Sequence, residues 1–172
     1  MIYKIEFYTY WHCGSGLSGG TTTDALVIKD RDGLPFVPAK TIKGHLREMA
    51  NLLDKEFEKV CFGEADNKEG VCYFSNAILQ DEISPQDAKF LYDTISFTAI
   101  DKESKTAIND SLRSMEATVP LTLVGEIRDI PKDYEENMKK ALKMVKRVGM
   151  KRHRGFGRCS IEVLEDGNGK NR

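Results

Sequence analysis

The chain has 172 residues, of which 40% are hydrophobic and 31% charged, and its formal net charge is −1 at pH 7. This composition is typical of an ordinary globular protein, long enough to bury a core without disulfides or a structural metal. The apolar runs are no longer than strands, which excludes a membrane span, and the charged first residues do not resemble a signal peptide.

The first part of the chain predicts a strand, a loop, a hairpin and a helix. Alternating apolar and polar residues indicate a strand over residues 2–12, and glycine, serine and threonine indicate a loop over residues 13–23. A hairpin over residues 25–37 turns at Asp30-Arg31-Asp32-Gly33. Apolar residues at helical spacing predict the first helix over residues 40–57.

The second part predicts three strands and a helix, with an insertion between the first two strands. Pro131 opens the helix and Gly149 ends it. In chain order these elements are a strand over 72–80, the insertion over about 82–118, a strand over 119–129, a helix over 131–148, a strand over 158–164, and a frayed tail over 165–172.

Without the hairpin and the insertion, the order of elements is βαββαβ. This order is typical of the α+β class and predicts a ferredoxin-like or RRM-like core in one domain, residues 1–172. Right-handed crossovers would place both helices on one face of the sheet. The fold hosts enzymes and nucleic-acid binders alike, so it does not by itself give a function.

The four cysteines are widely separated, and no two of them form a CxxC pair; they are Cys13, Cys61, Cys72 and Cys159. This spacing favours reduced thiols over a disulfide framework, and it gives little support for a structural zinc site. We therefore expect a cytoplasmic protein without a membrane partner.

Positive charge is concentrated near the end of the chain. Nine of the 26 basic residues lie within residues 139–158, and that stretch has no acidic residue. It ends in a glycine-rich segment whose lysines and arginines suit a phosphate backbone. The alternative is a glycine turn with solvated arginines. The candidate RNA-binding residues here are Lys151, Arg152, His153, Arg154, Gly155, Phe156, Gly157 and Arg158.

A second candidate segment is the start of the first helix. Free amide groups and the positive end of the helix dipole suit a phosphate there. Basic and hydroxyl side chains would extend that site, namely Lys40, Thr41, Lys43 and Arg47. His12, at the end of the first strand, is a further candidate for an RNA contact, with a catalytic acid or base role and a structural role as alternatives.

Taken together, these segments resemble the RAMP superfamily of CRISPR-associated proteins, especially the repeated backbone subunits of type III effector complexes. Residues 38–47, PAKTIKGHLR, resemble the hallmark P-G-S-S-L-K-G-x-x-R, from which Ala39 and Lys40 depart. Residues 152–158, RHRGFGR, resemble the late loop R-x-R-G-x-G-R. Phe62-Gly63, residues 74–77 and residues 99–116 resemble further landmarks in the same order.

This resemblance implies partners and an architecture. The RRM-like core would lie along a CRISPR guide RNA, and the insertion would be a thumb that displaces a base of the duplex between guide and target RNA. The expected partners are the guide RNA, the complementary target RNA, copies of this chain or related RAMP subunits, and the other subunits of a type III complex.

The resemblance also implies a catalytic residue. Asp24 lies where cleaving backbone subunits carry the aspartate that cuts target RNA with a divalent cation, Mg²⁺ or Mn²⁺. A carboxylate there could accept the proton of a 2′-hydroxyl or hold the cation. The alternatives are an aspartate that only caps a turn, an architectural subunit that does not cut, and a guide-processing endoribonuclease that uses His12.

Overall fold

The structure is a computed structural model that describes residues 1–20, 23–64, 68–108 and 111–164, so the predicted tail lies outside the described residues. The strands, numbered in chain order, are β1 Ile2–Phe7, β2 Tyr73–Phe74, β3 Ile78–Leu79, β4 Tyr92–Phe97, β5 Arg113–Thr118, β6 Thr122–Arg128 and β7 Cys159–Leu164. The helices are α1 Ala39–Leu53, α2 Lys55–Phe62 and α3 Glu135–Met144, with short 3₁₀ turns at Ala88–Leu91, Lys132–Tyr134 and Arg152–Arg154.

The main sheet has β1 at its centre, paired antiparallel with β6 on one side and β7 on the other. Beyond β6 lie β2 and β3, which pair with successive parts of that strand. Reduced to its core elements, this order is 4-1-3-2 of a βαββαβ unit, which confirms the predicted ferredoxin-like α+β fold.

The helices cover one face of this sheet and bury the core against it. Tyr3, Ile5 and Phe7 of β1 are buried, because alternate side chains of a strand point to the same face. The helices contribute buried residues at helical spacing, which are Ile42, Leu46 and Ala50 from α1 and Met138, Ala141 and Leu142 from α3. In the described parts of the chain, no helix has the length and apolar character to cross a membrane.

The prediction of a single helix over residues 40–57 is wrong, because the helix is interrupted at Asp54. This residue is extended, with φ −164° and ψ 121°, and its carboxylate accepts the amides of Glu56 and Phe57. An aspartate that caps a new helix competes with continuation of the old one. The break starts α2, which then runs on to Phe62.

The strand predicted over residues 72–80 is also interrupted. Between β2 and β3, Ala77 pairs with Val37, and the side-chain oxygen of Asn76 accepts the amide of Ala39 over 2.9 Å. The interruption therefore ties the start of α1 to the sheet. It also satisfies one of the amides that every helix start leaves without an intrahelical partner.

The helix predicted to reach residue 148 ends at Met144, where Val145 is extended. The chain then runs beside the entry to β7. The amide of Cys159 donates to the carbonyl of Lys146 over 3.0 Å, and Arg147 pairs with Arg158. Pairing with β7 replaces the last helical turn.

The insertion forms a separate two-stranded ribbon of β4 and β5, which we call the thumb, residues 92–118. Thr118 joins it to Trp11 through two main-chain hydrogen bonds of 2.8 and 3.0 Å. Glu116 joins it to the strand of the predicted hairpin: its carboxylate accepts the amide of Val27 over 3.0 Å and the ammonium of Lys29 over 2.8 Å.

Candidate nucleic-acid interface

The glycine-rich loop, residues 149–158, is packed against residues 8–12, which follow β1. The strand predicted over residues 2–12 ends at Phe7. The amide of Gly157 donates to the carbonyl of Tyr10 over 2.7 Å. Gly149 and Gly157 have φ angles of 97° and 67°, a region that favours glycine. A Cβ atom on Gly157 would collide with the carbonyl oxygen of Val148. Internal packing therefore accounts for these two glycines.

Gly155 is different, because there is open space on the side where a Cβ atom would lie. It is exposed, its φ angle is 87°, and a Cβ atom there would meet no atom within 4 Å. Of the three glycines in the loop, Gly155 is the one whose backbone a ligand can approach closely.

Cations without carboxylate partners lie in the glycine-rich loop and in the two positions 146 and 147 before it, and we call them the cationic face. Arg147 is held against the loop, since its guanidinium donates to the carbonyl of Arg152 over 2.7 Å. Within the described residues these side chains form no salt bridge; they are Lys146, Arg147, Lys151, Arg152, Arg154 and Arg158. A patch of uncompensated positive charge attracts polyanions.

The start of α1 offers less to a phosphate than its sequence suggests. Asn76 takes the amide of Ala39, and the amide of Thr41 donates to the carbonyl of Pro38 over 2.9 Å. In the described structure, the amide of Lys40 is the one in this first turn that has no partner. Lys40 is also exposed, so it remains available to a ligand.

Arg47 and Lys43 lie on the side of α1 that faces α2 and the sheet edge. Arg47 donates to Glu58 over 2.8 Å and to the carbonyl of Gly63 over 3.1 Å. Its hydrogen bond lowers the pKa of the Glu58 carboxyl. The ammonium of Lys43 lies 5.9 Å from the centre of the Phe74 ring. Arg47 therefore joins two helices, but 43% of its side chain is exposed, so its RNA contact stays a prediction.

The loop meets α1 at His45, on the side opposite Arg47. Arg152 donates to Nδ1 of His45 over 3.3 Å, so this ring accepts a hydrogen bond and is neutral. Burial and the charge of Arg152 lower the pKa of His45, and Glu48 opposes them in part. A groove of about 310 Å³ lies at this junction, lined by His45, Glu48, Met144, Arg147, Arg152 and His153. The two predicted segments therefore meet, through the second turn of α1 rather than its first.

On its other side the loop contacts the thumb, through a residue that the sequence did not single out. Phe97 of β4 lies with its ring centre 5.7 Å from that of Phe156. The ammonium of Lys151 and the guanidinium of Arg154 lie 5.4 and 5.7 Å from the Phe97 ring centre. No local sequence signal marks Phe97, because its partners are more than 50 residues away.

Asp24 lies at the edge of the thumb, beside β5. Its amide donates to the carbonyl of Ser114 over 2.9 Å, and its Oδ2 accepts the amide of Ser114 over 2.7 Å. The side chain is exposed, and Oδ1 has no hydrogen-bond partner in the described parts. β5 separates Asp24 from β4, so the structure does not bring it against the glycine-rich loop.

The surroundings of Asp24 do not form a resident metal site. Among the described residues, no group of three or more histidine, cysteine, aspartate or glutamate side chains could hold an ion. A magnesium ion commonly uses one or two carboxylates together with the phosphates of its substrate. Asp24 would fit that mode of binding, with Oδ1 as the oxygen that it would supply.

His12 is buried, which contradicts its predicted contact with RNA. Its side chain is 0% exposed, and Nδ1 donates to the carbonyl of Glu116 over 2.6 Å. Its own carbonyl accepts the amide of Met150 over 2.8 Å. A ring without exposed surface cannot touch a ligand in this conformation, so His12 joins the thumb to the loop. By contrast, His153 is exposed and lies in the groove.

The fold and this surface together define an α+β protein with a ferredoxin-like core, a thumb and a cationic loop. The RAMP superfamily matches residues 4–160, so the chain belongs to this superfamily. A comparison with curated protein sequences found no match.

Two solved structures have a similar fold. One is a chain of the cryo-EM structure of the type III-B Cmr-beta bound to cognate target RNA, with a TM-score of 0.77 and 12% identity, covering 94% of this chain and 95% of that one. The other belongs to the apo state of the type III-B Cmr-beta, with a TM-score of 0.75, 14% identity, and coverage of 96% and 97%.

The neutral His45 makes stability depend on pH. Because its folded pKa lies below the ordinary value of about 6.5, the unfolded chain binds the proton more readily. The free energy of unfolding should therefore fall as the pH drops below about 6.5. Urea unfolding at pH 7.5 and 5.5 should show a smaller drop for His45→Gln than for the wild type. His153→Gln, which removes an exposed ring, is the control, and equal drops in all three proteins would contradict the assignment.

Proposed function

We propose that this chain is a CRISPR-guide-binding backbone subunit of a cytoplasmic type III interference complex. The observation that carries the proposal is the cationic face, which shares its loop with the open Gly155 and meets α1 at His45. Membership of the RAMP superfamily and the fold shared with chains of type III-B Cmr-beta structures support it. On this proposal the expected partners are guide RNA, target RNA, and copies of this chain or related subunits.

The ribose-phosphate chain would cross the cationic face from Arg158 to the groove beside His45. Lysine and arginine side chains bind phosphates without reading sequence, which suits a protein that must hold guides of many sequences. Arg152 would have two roles, since it contacts α1 and also adds to the positive electrostatic potential of the cationic face.

Gly44 is a second observation in favour of this path of the RNA. It lies inside α1 and is exposed, and a Cβ atom on it would meet nothing within 4 Å. Glycine within a helix costs up to about 1 kcal/mol relative to alanine. Packing does not explain this cost, whereas close approach of a bound backbone next to Lys40 would.

We further propose that Asp24 cuts the target RNA. Its free Oδ1 would take the proton of a 2′-hydroxyl, whose oxygen attacks the adjacent phosphorus. The bond from phosphorus to the 5′ oxygen then breaks, leaving a 2′,3′-cyclic phosphate and a 5′ oxygen that takes a proton from water. Alternatively, Oδ1 and RNA phosphate together would hold a Mg²⁺ or Mn²⁺, which would supply charge neutralisation at the phosphate, and water would then take the proton of the 2′-hydroxyl.

An architectural subunit that does not cut is the second candidate. The hydrogen bond from Ser114 to Asp24 favours it, because it gives the carboxylate a structural role. A guide-processing nuclease has less support, since the proposed acid or base, His12, is buried.

Removing one charge from the cationic face should weaken RNA binding in a salt-dependent way. For a single-stranded RNA, each phosphate contact contributes about −0.7 to the slope of log affinity against log salt. Arg154→Ala should make this slope less steep by roughly that amount in fluorescence anisotropy titrations. Arg128→Ala is the matched control, because Arg128 already pairs with Glu126 at 3.7 Å on another face. Equal slopes for Arg154→Ala and the wild type would argue against the path.

Replacing Gly44 should stabilise the protein and at the same time weaken its binding to RNA. Gly44→Ala should raise the free energy of unfolding by about 0.5–1 kcal/mol and still lower RNA affinity. Urea unfolding and anisotropy on the same preparation measure both. Leu52→Ala changes a side chain that is 71% exposed on the same helix and should leave affinity unchanged. A more stable Gly44→Ala with wild-type affinity would remove this support.

Asp24→Ala should abolish target cleavage within the assembled, guide-loaded complex. We expect a loss of at least about 100-fold in single-turnover rate, in line with removal of a general base, with guide binding retained. Asp32→Ala, at the exposed turn of the neighbouring hairpin, is the control. If cleavage at this subunit's positions survives Asp24→Ala, the subunit is architectural or another residue cuts.

A further inference from the structure

Two of the four cysteines lie side by side. Cys61 is in the last turn of α2, and Cys72 directly precedes β2. Both cysteines are free and buried. We propose that they form a redox-active pair, which hydrogen peroxide converts into a disulfide and thiol reductants reopen. This inference goes beyond the proposed RNA-binding function and does not depend on it, so either can fail without the other.

The main chain already holds the two residues together. The amide of Cys72 donates to the carbonyl of Cys61 over 3.3 Å, and the amide of Val71 donates to the carbonyl of Val60 over 2.9 Å. A Cβ atom on Gly70 would collide with the carbonyl of Cys61, so the two segments are in direct contact. Residues joined by such a main-chain bond have Cα atoms roughly 5–6 Å apart, within the range of about 4.4–6.8 Å that disulfides require.

The two thiols form a short hydrogen-bonded chain. The thiol of Cys61 donates to the sulfur of Cys72, and the thiol of Cys72 donates to the carbonyl of Asp129 over 3.7 Å. A structural zinc ion would need four ligands. In the part of the chain that the structure describes, no three histidine, cysteine, aspartate or glutamate side chains come together as a metal site. The pair therefore fits oxidation better than metal binding.

The surroundings make Cys72 the sulfur that attacks the oxidant. The hydrogen bond from Cys61 lowers the pKa of Cys72, burial and the charge of Asp129 oppose this effect, and the charge of Lys43 adds to it. The same hydrogen bond and burial raise the pKa of Cys61. The thiolate rather than the thiol is the nucleophile. Cys72 is also 6% exposed and follows Val71, which is 53% exposed, whereas Cys61 is 0% exposed. A small, uncharged oxidant therefore reaches Cys72 first.

The reaction has two steps. In the first step, the thiolate of Cys72 attacks one oxygen of hydrogen peroxide, so that an S–O bond forms and the O–O bond breaks. The hydroxide that leaves takes the proton that the thiol released. In the second step, the sulfur of Cys61 attacks the sulfur of Cys72, the S–S bond forms and the S–O bond breaks. The departing hydroxide takes the proton of Cys61. The thiols thus lose two electrons and two protons, and one peroxide is reduced to two waters.

The disulfide would tie α2 to the sheet. Cys72 leads into β2, and Cys61 lies two residues before Gly63, whose carbonyl accepts the guanidinium of Arg47 in α1. A covalent link between residues 61 and 72 closes a loop in the unfolded chain and reduces its conformational entropy. We therefore expect the oxidised protein to unfold at a higher urea concentration than the reduced protein.

Counting thiols after peroxide treatment tests the pair. The full chain is treated with hydrogen peroxide at neutral pH, denatured, alkylated with N-ethylmaleimide and digested for mass spectrometry. Two of the four thiols should be lost, in one crosslinked peptide that joins Cys61 to Cys72, and dithiothreitol should restore all four. In Cys61→Ser, dimedone should label Cys72 as a sulfenic acid, whereas in Cys72→Ser it should not label Cys61. Cys13→Ser is the matched control and should leave the crosslink unchanged, because burial raises the pKa of Cys13 to about 12.

Other outcomes would overturn the inference. Wild-type protein that keeps all four thiols, while a urea-denatured sample is oxidised, would show that the folded pair does not react. A crosslink that involves Cys13 or Cys159 would assign the reaction to other cysteines. Equal urea midpoints for oxidised and reduced protein would overturn the tie between α2 and the sheet. The peptide map of the wild type needs no variant, so a serine variant that misfolds cannot hide the result.

Discussion

The close packing of the glycine-rich loop on residues 8–12 is the constraint on which the rest of the surface depends. Gly157 touches the backbone of Val148, and the amides of Met150 and Gly157 donate to the carbonyls of His12 and Tyr10. Among the intervening residues, Lys151, His153 and Arg154 are exposed. A rigid base of this kind lets several like charges remain side by side, since the main-chain hydrogen bonds, rather than carboxylates, hold the segment in place.

Much of the fold was predictable, because it follows from local periodicity. Alternation gave β1 and β7, and helical spacing gave α1 and α3. The errors lie where a polar side chain competes with the regular backbone. Asp54 ends one helix and starts another, and Asn76 interrupts a strand to cap α1. Such choices depend on partners that are distant in sequence, in the second case by 37 residues.

The positive charge of the candidate surface was predictable from the sequence, but the contacts of its side chains were not. A run of lysines and arginines without acidic neighbours stands out in any sequence. Whether a side chain is free depends on tertiary contacts, so the sequence does not show that Arg47 pairs with Glu58 or that His12 is buried. Phe97 was missed for the same reason, because its importance comes from Phe156 and not from its own neighbours in β4. Asp24 remains a prediction that the resemblance to the superfamily supports.

The contacts of Glu116 fix the position of Asp24 along the thumb. Its backbone and carboxylate together contact the segments of His12, Ala25, Val27 and Lys29, so β5 cannot slip against them by even one residue. Asp24 is next to Ala25, so its position along the thumb is fixed as well. On the proposed function, any event at that carboxylate would occur a set number of nucleotides from the part of the RNA that the thumb contacts.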